Sequence, residues 1–246
     1  MNHWSKPIMA QIPALSTPYG CMDIRVIRDP KRRGGRMLAL AGGGMVERME
    51  FQAVVARRRM VRNYTDDPVE PGVVERILGN ALHAPSAGFS QGWGFLLLDT
   101  PADVGRFWSS TTDAVGMPDS WLSGMRRAPV VVVPLSCKQA YLDRYAAQDK
   151  GWADKDESRW PVPYWDIDTG MAALLMLQTV TDERLGACFF GIPRERWDAF
   201  RAEFRIPADH TPIGALTIGH RAPDTLSPSL KRGRKPADDV VHRGSW

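Results

Sequence analysis

The chain predicts an α+β fold, with a small mixed β-sheet packed between helices. Three observations carry this. Helical periodicities and short β-branched runs are interleaved without a strict strand-helix-strand alternation. No Gly-x-Gly-x-x-Gly follows a strand pattern, which disfavours a doubly wound dinucleotide fold. The longest apolar run, 129–135, is the size of a sheet strand and far short of a membrane span.

The elements follow in order. Residues 49–58 read as a short helix with Phe51, Val54 and Val55 on one face, and arginines gather at its end. A second helix starts at Pro71 and carries Val73, Val74, Ile77, Leu78, Ala81 and Leu82 at helical spacing to Ala84, where Pro85 ends it. A strand at 93–98, a helix at 101–108, the buried strand 129–135 and a helix at 138–148 follow. Residues 151–165 form a Trp- and Pro-rich insertion of irregular structure. The longest helix, 168–183, is apolar on nearly all sides, so a central, buried position is expected. A strand at 187–190, a helix at 194–204 and a strand at 213–219 complete the core.

The domain organisation is expected to be a leader at 1–48, a ligand-binding domain at 49–226 and a C-terminal arm at 227–246. The leader holds eight Lys/Arg against three acids, a balance of +5, so the rest of the chain sums to −1 out of a total of +4. The basicity belongs to the leader, and the body offers no electrostatic case for nucleic acid. The leader is either a flexible basic segment or translated sequence ahead of a start at Met45 or Met49, and it lacks the pattern of a secretory signal. The arm has no periodicity of its own, yet it carries Val240, Val241 and Trp246 and so must dock on something. Cys21, Cys137 and Cys188 share no paired spacing and the five histidines are scattered, so no metal site is expected and a reducing, cytoplasmic setting fits.

Four constellations carry chemistry. Arg57-Arg58-Arg59-Met60-Val61-Arg62-Asn63-Tyr64 crowds guanidiniums at a helix end, where a phosphate would relieve their repulsion by accepting bidentate hydrogen bonds. A solvated basic surface is the bland alternative. The loop Ala84-Pro85-Ser86-Ala87-Gly88-Phe89-Ser90-Gln91-Gly92-Trp93 combines a helix stop, small residues and hydrogen-bonding side chains, which suits a flat heterocycle or an ordinary connection. Leu185-Gly186-Ala187-Cys188-Phe189-Phe190-Gly191 is a short glycine-bounded strand. Ser229-Leu230-Lys231-Arg232-Gly233-Arg234-Lys235-Pro236 is a basic tail segment.

In this order and at these separations, from about Met49 to the C-terminus, the four resemble the FMN-dependent nitroreductase family, as a divergent subgroup. The resemblance implies a nitroreductase-like fold and an intertwined homodimer, the arm wrapping the partner. It implies that Arg58, Arg59, Met60, Arg62 and Arg234, with Arg232, surround the FMN phosphate and ribityl chain. Pro85, Ser86 and Ala87 would line one side of the ring, Ser90 and Gln91 would bond to it or to the chain, and Phe190 and Gly191 would approach its N5 region. Trp152, Trp160, Tyr164 and Trp165 would wall a flat substrate or pack at the dimer interface. Departures from the family pattern are Met60 for Ser, Phe89 for Asn, Gly92 for Pro, and Arg184 at the first glycine of Gly-Leu-Gly.

The function implied is electron transfer from NAD(P)H through bound FMN to a small acceptor, such as a flat aromatic, nitro or quinone compound, by a ping-pong mechanism. No catalytic side chain, nucleic-acid partner or membrane partner is expected. The alternatives are a flavin-fragmenting relative of the cobalamin-ligand synthase type and a non-catalytic binder of a phosphorylated ligand.

Overall fold

The computed structural model describes the backbone of residues 25–27, 37–39 and 45–47, together with residues 49–112, 120–224 and 227–246. The chain divides into one unit at 1–50 and a second at 51–246. In the first unit β1 (Arg25–Ile27), β2 (Met37–Ala39) and β3 (Met45–Glu47) pair antiparallel in that order, where sequence patterning marks no element. The expectations of a flexible leader or an internal start fall largely on residues outside those described.

The second unit begins with α1 (Phe51–Arg57) and α2 (Pro71–Ala81). α2 ends before residue 84 because Ala84 precedes Pro85, and a proline ring crowds the preceding residue out of helical geometry. Next come β4 (Trp93–Leu98), α3 (Pro101–Thr111), α4 (Ser120–Met125), β5 (Val130–Cys137) and α5 (Lys138–Ala146). The short α4 has no counterpart in the sequence reading. α6 (Tyr164–Asp182) takes in the end of the Trp-rich insertion, starting directly after Pro163 with Asp166 in its first turn, where a carboxylate favours the helix dipole. The chain closes with β6 (Gly186–Phe190), α7 (Trp197–Phe204), β7 (His210–Pro212), β8 (Ala215–Gly219) and two single turns in the tail.

Of the expected strand 213–219 only β8 forms, with the unexpected β7 ahead of it, and the two are separated at Gly214. Its φ is 155°, and a Cβ there would lie 2.5 Å from Phe189 Cζ and 2.8 Å from the Phe190 carbonyl oxygen. Only glycine lets the backbone pass β6 this closely.

The sheet order is β4-β5-β8-β6, with β7 also paired to β5, and every strand pair is antiparallel. Among the described residues parallel pairing occurs only in the isolated bridge between Met60 and Ala187, so the sheet is mixed through that bridge alone. Strand alternation sorts the core into two layers. Val130 and Val132 of β5 join Ala187, Leu216 and Ile218 against α2 and α6, through Val74, Ile77, Ala172, Met176 and Val180. Val131, Val133 and Leu135 face the other way, onto Phe107 and Trp108 of α3, Met125 of α4 and Phe200 of α7.

α6 is only partly the buried helix that its apolar sequence predicts. Ala172, Met176 and Val180 are fully buried, whereas Ile167, Met171 and Leu174 form an exposed stripe at 43%, 36% and 46%. Phe51 and Val55 of α1 and Leu82 are exposed too. A single chain leaves this apolar face uncovered. The same holds for Val240, Val241 and Trp246 in the tail.

The end of α6 explains one departure from the family pattern. The Leu185 N–H donates to the Val180 carbonyl at 3.0 Å and the Arg184 N–H to the Thr181 carbonyl at 3.1 Å, the paired closure of a Schellman cap. That cap needs a left-handed residue, and Arg184 supplies it at φ 63°. An L side chain there costs about 1–2 kcal/mol. Arg184→Gly is therefore expected to stabilise the fold by about 1 kcal/mol, read as a higher urea midpoint at unchanged slope.

Candidate active site

The arginine-rich segment leaves α1 and runs alongside β6. Met60 bridges Ala187, the Val61 N–H donates to the Ala187 carbonyl at 2.9 Å, and the Phe189 N–H reaches the Met60 sulfur at 3.4 Å. Met60 takes the place of a serine in the family pattern, and its thioether is spent on holding β6. Tyr64, fully buried, anchors the segment by donating to the Val61 carbonyl at 2.6 Å, with the Thr217 hydroxyl at 2.9 Å. Burial pushes that phenol far above its ordinary range, although the Thr217 hydrogen bond opposes the shift, so it stays neutral.

This anchoring turns Arg58, Arg59 and Arg62 into a cavity of about 520 Å³ whose opposite wall is the tail: Ser227, Ser229, Leu230, Gly233 and Arg234. Two basic segments more than 160 residues apart thus meet. Arg58 Nη1 is buried with no hydrogen-bond partner. A buried guanidinium nitrogen left unpaired is costly, and an anion in this cavity is what would satisfy it. Asp224, which sequence reasoning missed, also lines the cavity, accepting the Arg62 backbone N–H at 2.9 Å. Arg232 is not among the lining residues, nor are the 85–91 loop, Phe190 and Gly191.

The loop is held from behind. The carboxylate of Asp168, 2% exposed on α6, accepts the Ala87 N–H and the Tyr141 hydroxyl, each at 2.8 Å. Burial, followed by the Asp168 hydrogen bond, drives the Tyr141 phenol well up from its usual value, so Tyr141 remains a donor. Arg144 donates to the Gly88 carbonyl at 3.0 Å, and the Tyr145 ring lies where a Cβ on Gly88 would be. Within the loop the Ser86 hydroxyl oxygen accepts the Gln91 N–H at 3.0 Å and the Ser90 hydroxyl donates to the Ala87 carbonyl at 2.6 Å. Ser86 keeps its proton to donate and Ser90 its lone pairs. Phe89 and Gln91 both have left-handed φ, 56° and 49°, and such strain in non-glycine residues gathers where a ligand is gripped. The anchors Asp168, Tyr141 and Arg144 were also missed. An acid at the start of the apolar run of α6, two residues beyond Asp166, was the available signal for Asp168.

The four aromatics of the insertion converge on the same support. Trp160 packs 4.6 Å from Tyr145 and 5.9 Å from Tyr141, with Trp152, Tyr164 and Trp165 around it. They brace α5, which braces the loop. The Phe190 ring turns into the core, stacked on Trp108 at 5.6 Å with planes 6° apart, so only its backbone remains at the end of β6 beside the exposed Gly191.

A sequence profile of the nitroreductase family matches residues 55–220, which span the arginine segment, the loop and β6. The chain belongs to the nitroreductase family. A protein of Archaeoglobus fulgidus assigned as an NADH dehydrogenase/NAD(P)H nitroreductase is 24% identical over 199 residues, covering 80% of this chain and 99% of the relative. A nitroreductase family protein from Clostridium difficile 630 shares the fold, with a TM-score of 0.58 and 22% identity over 80% of this chain and all of the other. So does a protein of Exiguobacterium sibiricum 255-15 assigned as a nitroreductase and solved in complex with FMN, with a TM-score of 0.60 and 19% identity over 79% of this chain and 97% of the other. No helix among the described residues is long and apolar enough to cross a membrane.

Proposed function

We propose that this nitroreductase-family protein is an FMN-dependent oxidoreductase that passes electrons from NAD(P)H to a small acceptor, the two substrates taking turns at one site. The observation that carries the reading is the buried, unpartnered Arg58 Nη1 in a cavity shared by Arg58, Arg59, Arg62 and Arg234. That donor set fits a phosphate. Arg58, Arg62 and Arg234 would hold the phosphate, while Pro85, Ser86, Ala87, Ser90 and Gln91 would line the ring and the backbone of Phe190 and Gly191 its far edge. When bound, FMN supplies the hydride chemistry, so the protein needs no acid or base of its own. The side chains bind, orient and exclude water.

The exposed stripe Ile167, Met171 and Leu174, together with Val240, Val241 and Trp246, supports a homodimer in which the tail crosses to the partner. A flat aromatic, nitro or quinone acceptor suits the aromatic-backed loop.

The decisive measurement is a visible spectrum. Purified protein incubated with excess FMN and desalted should stay yellow, and anaerobic NADH or NADPH should bleach the flavin absorbance. A protein that remains colourless after that incubation would defeat the reading and favour a non-catalytic binder of a phosphorylated ligand. Breakdown of the flavin during turnover would favour a flavin-fragmenting enzyme instead.

A further inference from the structure

Cys137 and His210, 73 residues apart in the sequence, become direct cross-strand partners where β5 pairs with β7. Asp209 stands between them. Its Oδ1 is 2.8 Å from His210 Nδ1 and its Oδ2 is 3.7 Å from Cys137 Sγ, and the thiol, carboxylate and imidazole ligand atoms all lie within 4.8 Å of one another. We propose that Cys137, Asp209 and His210 form a binding site for a divalent transition-metal cation of the zinc class, separate from the arginine cavity.

The chemistry of the three groups suits this ion. A thiolate and a carboxylate bring two negative charges and a neutral imidazole brings none, so the set balances a divalent cation. Sulfur with imidazole selects zinc-like ions over magnesium or calcium. Bonds of about 2.3 Å to sulfur and about 2.0–2.2 Å to nitrogen or oxygen at tetrahedral angles place the ligand atoms roughly 3.5 Å apart. Asp209 Oδ2 stands at 3.7 Å from Cys137 Sγ, close to that spacing, whereas Oδ1 is 2.8 Å from His210 Nδ1 and must open slightly, and the sulfur and imidazole, within 4.8 Å, close by about an ångström or less. On binding, the sulfur–hydrogen bond breaks, the sulfur–metal bond forms and the proton leaves to solvent. The His210 Nδ1 proton that bonds to Asp209 Oδ1 is given up to solvent while Nε2 takes or keeps one, and the neutral imidazole then binds through its freed Nδ1 lone pair.

Access and support are both present. Cys137 forms a buried floor, the Asp209 side chain is 51% exposed at the mouth, and His210 is intermediate at 27%, so a fourth position can be filled by water. The sulfur lies at the N-terminal end of α5; burial, with Asp209, holds the thiol above its ordinary range against the opposing backbone amides of Ala140 and Gln139, so the cation itself must displace the proton.

The location gives the ion a job. The Cys137 N–H donates to the Gly92 carbonyl at 2.9 Å, and the His210 ring lies against Gly94, where a Cβ would be 3.4 Å from its Cδ2. A bound cation would tie β7, β5 and the start of α5 together beneath the exit of the 85–91 loop. Neither scattered histidines nor unpaired cysteine spacing could announce this site, because it is created by strand pairing.

The test is a titration of the chelator-treated full-length protein with Co²⁺ alone, followed by visible and near-ultraviolet absorbance. One equivalent per chain should bind with a thiolate-to-cobalt charge-transfer band that Zn²⁺ displaces. Cys137→Ser should abolish the band. Asp209→Asn, in the turn before β7, and His210→Ala, at the first residue of β7, should each weaken binding at least about tenfold, since even outer partners of a metal reach that scale. Zn²⁺ should raise the Tm of the wild type but not of His210→Ala. Binding without the band, a band that survives Cys137→Ser, or undiminished affinity in the other two variants would overturn the proposal. FMN is absent from the titration, so its outcome is independent of the flavin reading.

Discussion

Asp168→Ala is expected to destabilise the protein by about 2–6 kcal/mol, the scale of leaving two donors unpaired at about 1–3 kcal/mol each. Its carboxylate is the shared acceptor for the Ala87 N–H and the Tyr141 hydroxyl, and both donors lose their partner at once, Tyr141 in the fully buried interior and Ala87 in a half-buried loop. Against a total stability of roughly 5–15 kcal/mol, this is a large fraction. Asp168→Asn keeps an acceptor oxygen of the same shape and should cost only about 1 kcal/mol. Urea unfolding followed by far-ultraviolet circular dichroism would measure both. If the two variants proved equally stable, Asp168 would be an ordinary core polar residue and not the anchor of the loop. The Asn variant, being folded, should also hold FMN less tightly if that loop lines the ring.

Arg58→Ala and Arg234→Ala should each weaken FMN binding by about 1.5–3 kcal/mol, the worth of a hydrogen bond to a charged group, or roughly 10- to 150-fold in Kd. The two residues come from opposite walls of one cavity, so the double variant should lose most of its affinity. Riboflavin, which lacks the phosphate, should bind wild type and variants alike. Arg33→Ala, in the basic leader, is the control and should leave Kd unchanged. Fluorescence quenching of added FMN reads all of these. An equal loss at Arg33 would show that bulk charge is being measured.

Much of the architecture was legible because core burial writes a period into the chain. β4, an apolar run closed off by Asp99-Thr100-Pro101, was placed at its observed limits, and β5 differed by only one or two residues at each end, because its β-branched run has few other solutions in a sheet. What escaped depended on contacts remote in sequence. The break at Gly214 exists because β6 passes close by, and α4 is too short to show a period. At the site, the two arginine segments could be paired by motif order, but Asp224, Tyr141 and Arg144 carry no local mark, since their roles arise only when the tail and α5 fold against the segments they hold. Cys137 and His210 failed the search for close spacing because their proximity is a matter of register between β5 and β7.

The bridge from Met60 to Ala187 has a consequence for selectivity. With the Phe189 N–H seated on the Met60 sulfur and the Val61 N–H on the Ala187 carbonyl, the arginine segment and β6 move as one rigid piece. The span from the arginines to the exit of β6 is therefore a fixed length, and it works as a caliper. If the arginine cavity holds a phosphate as proposed, that caliper would accept or refuse a ligand according to how far its other end reaches from the anion.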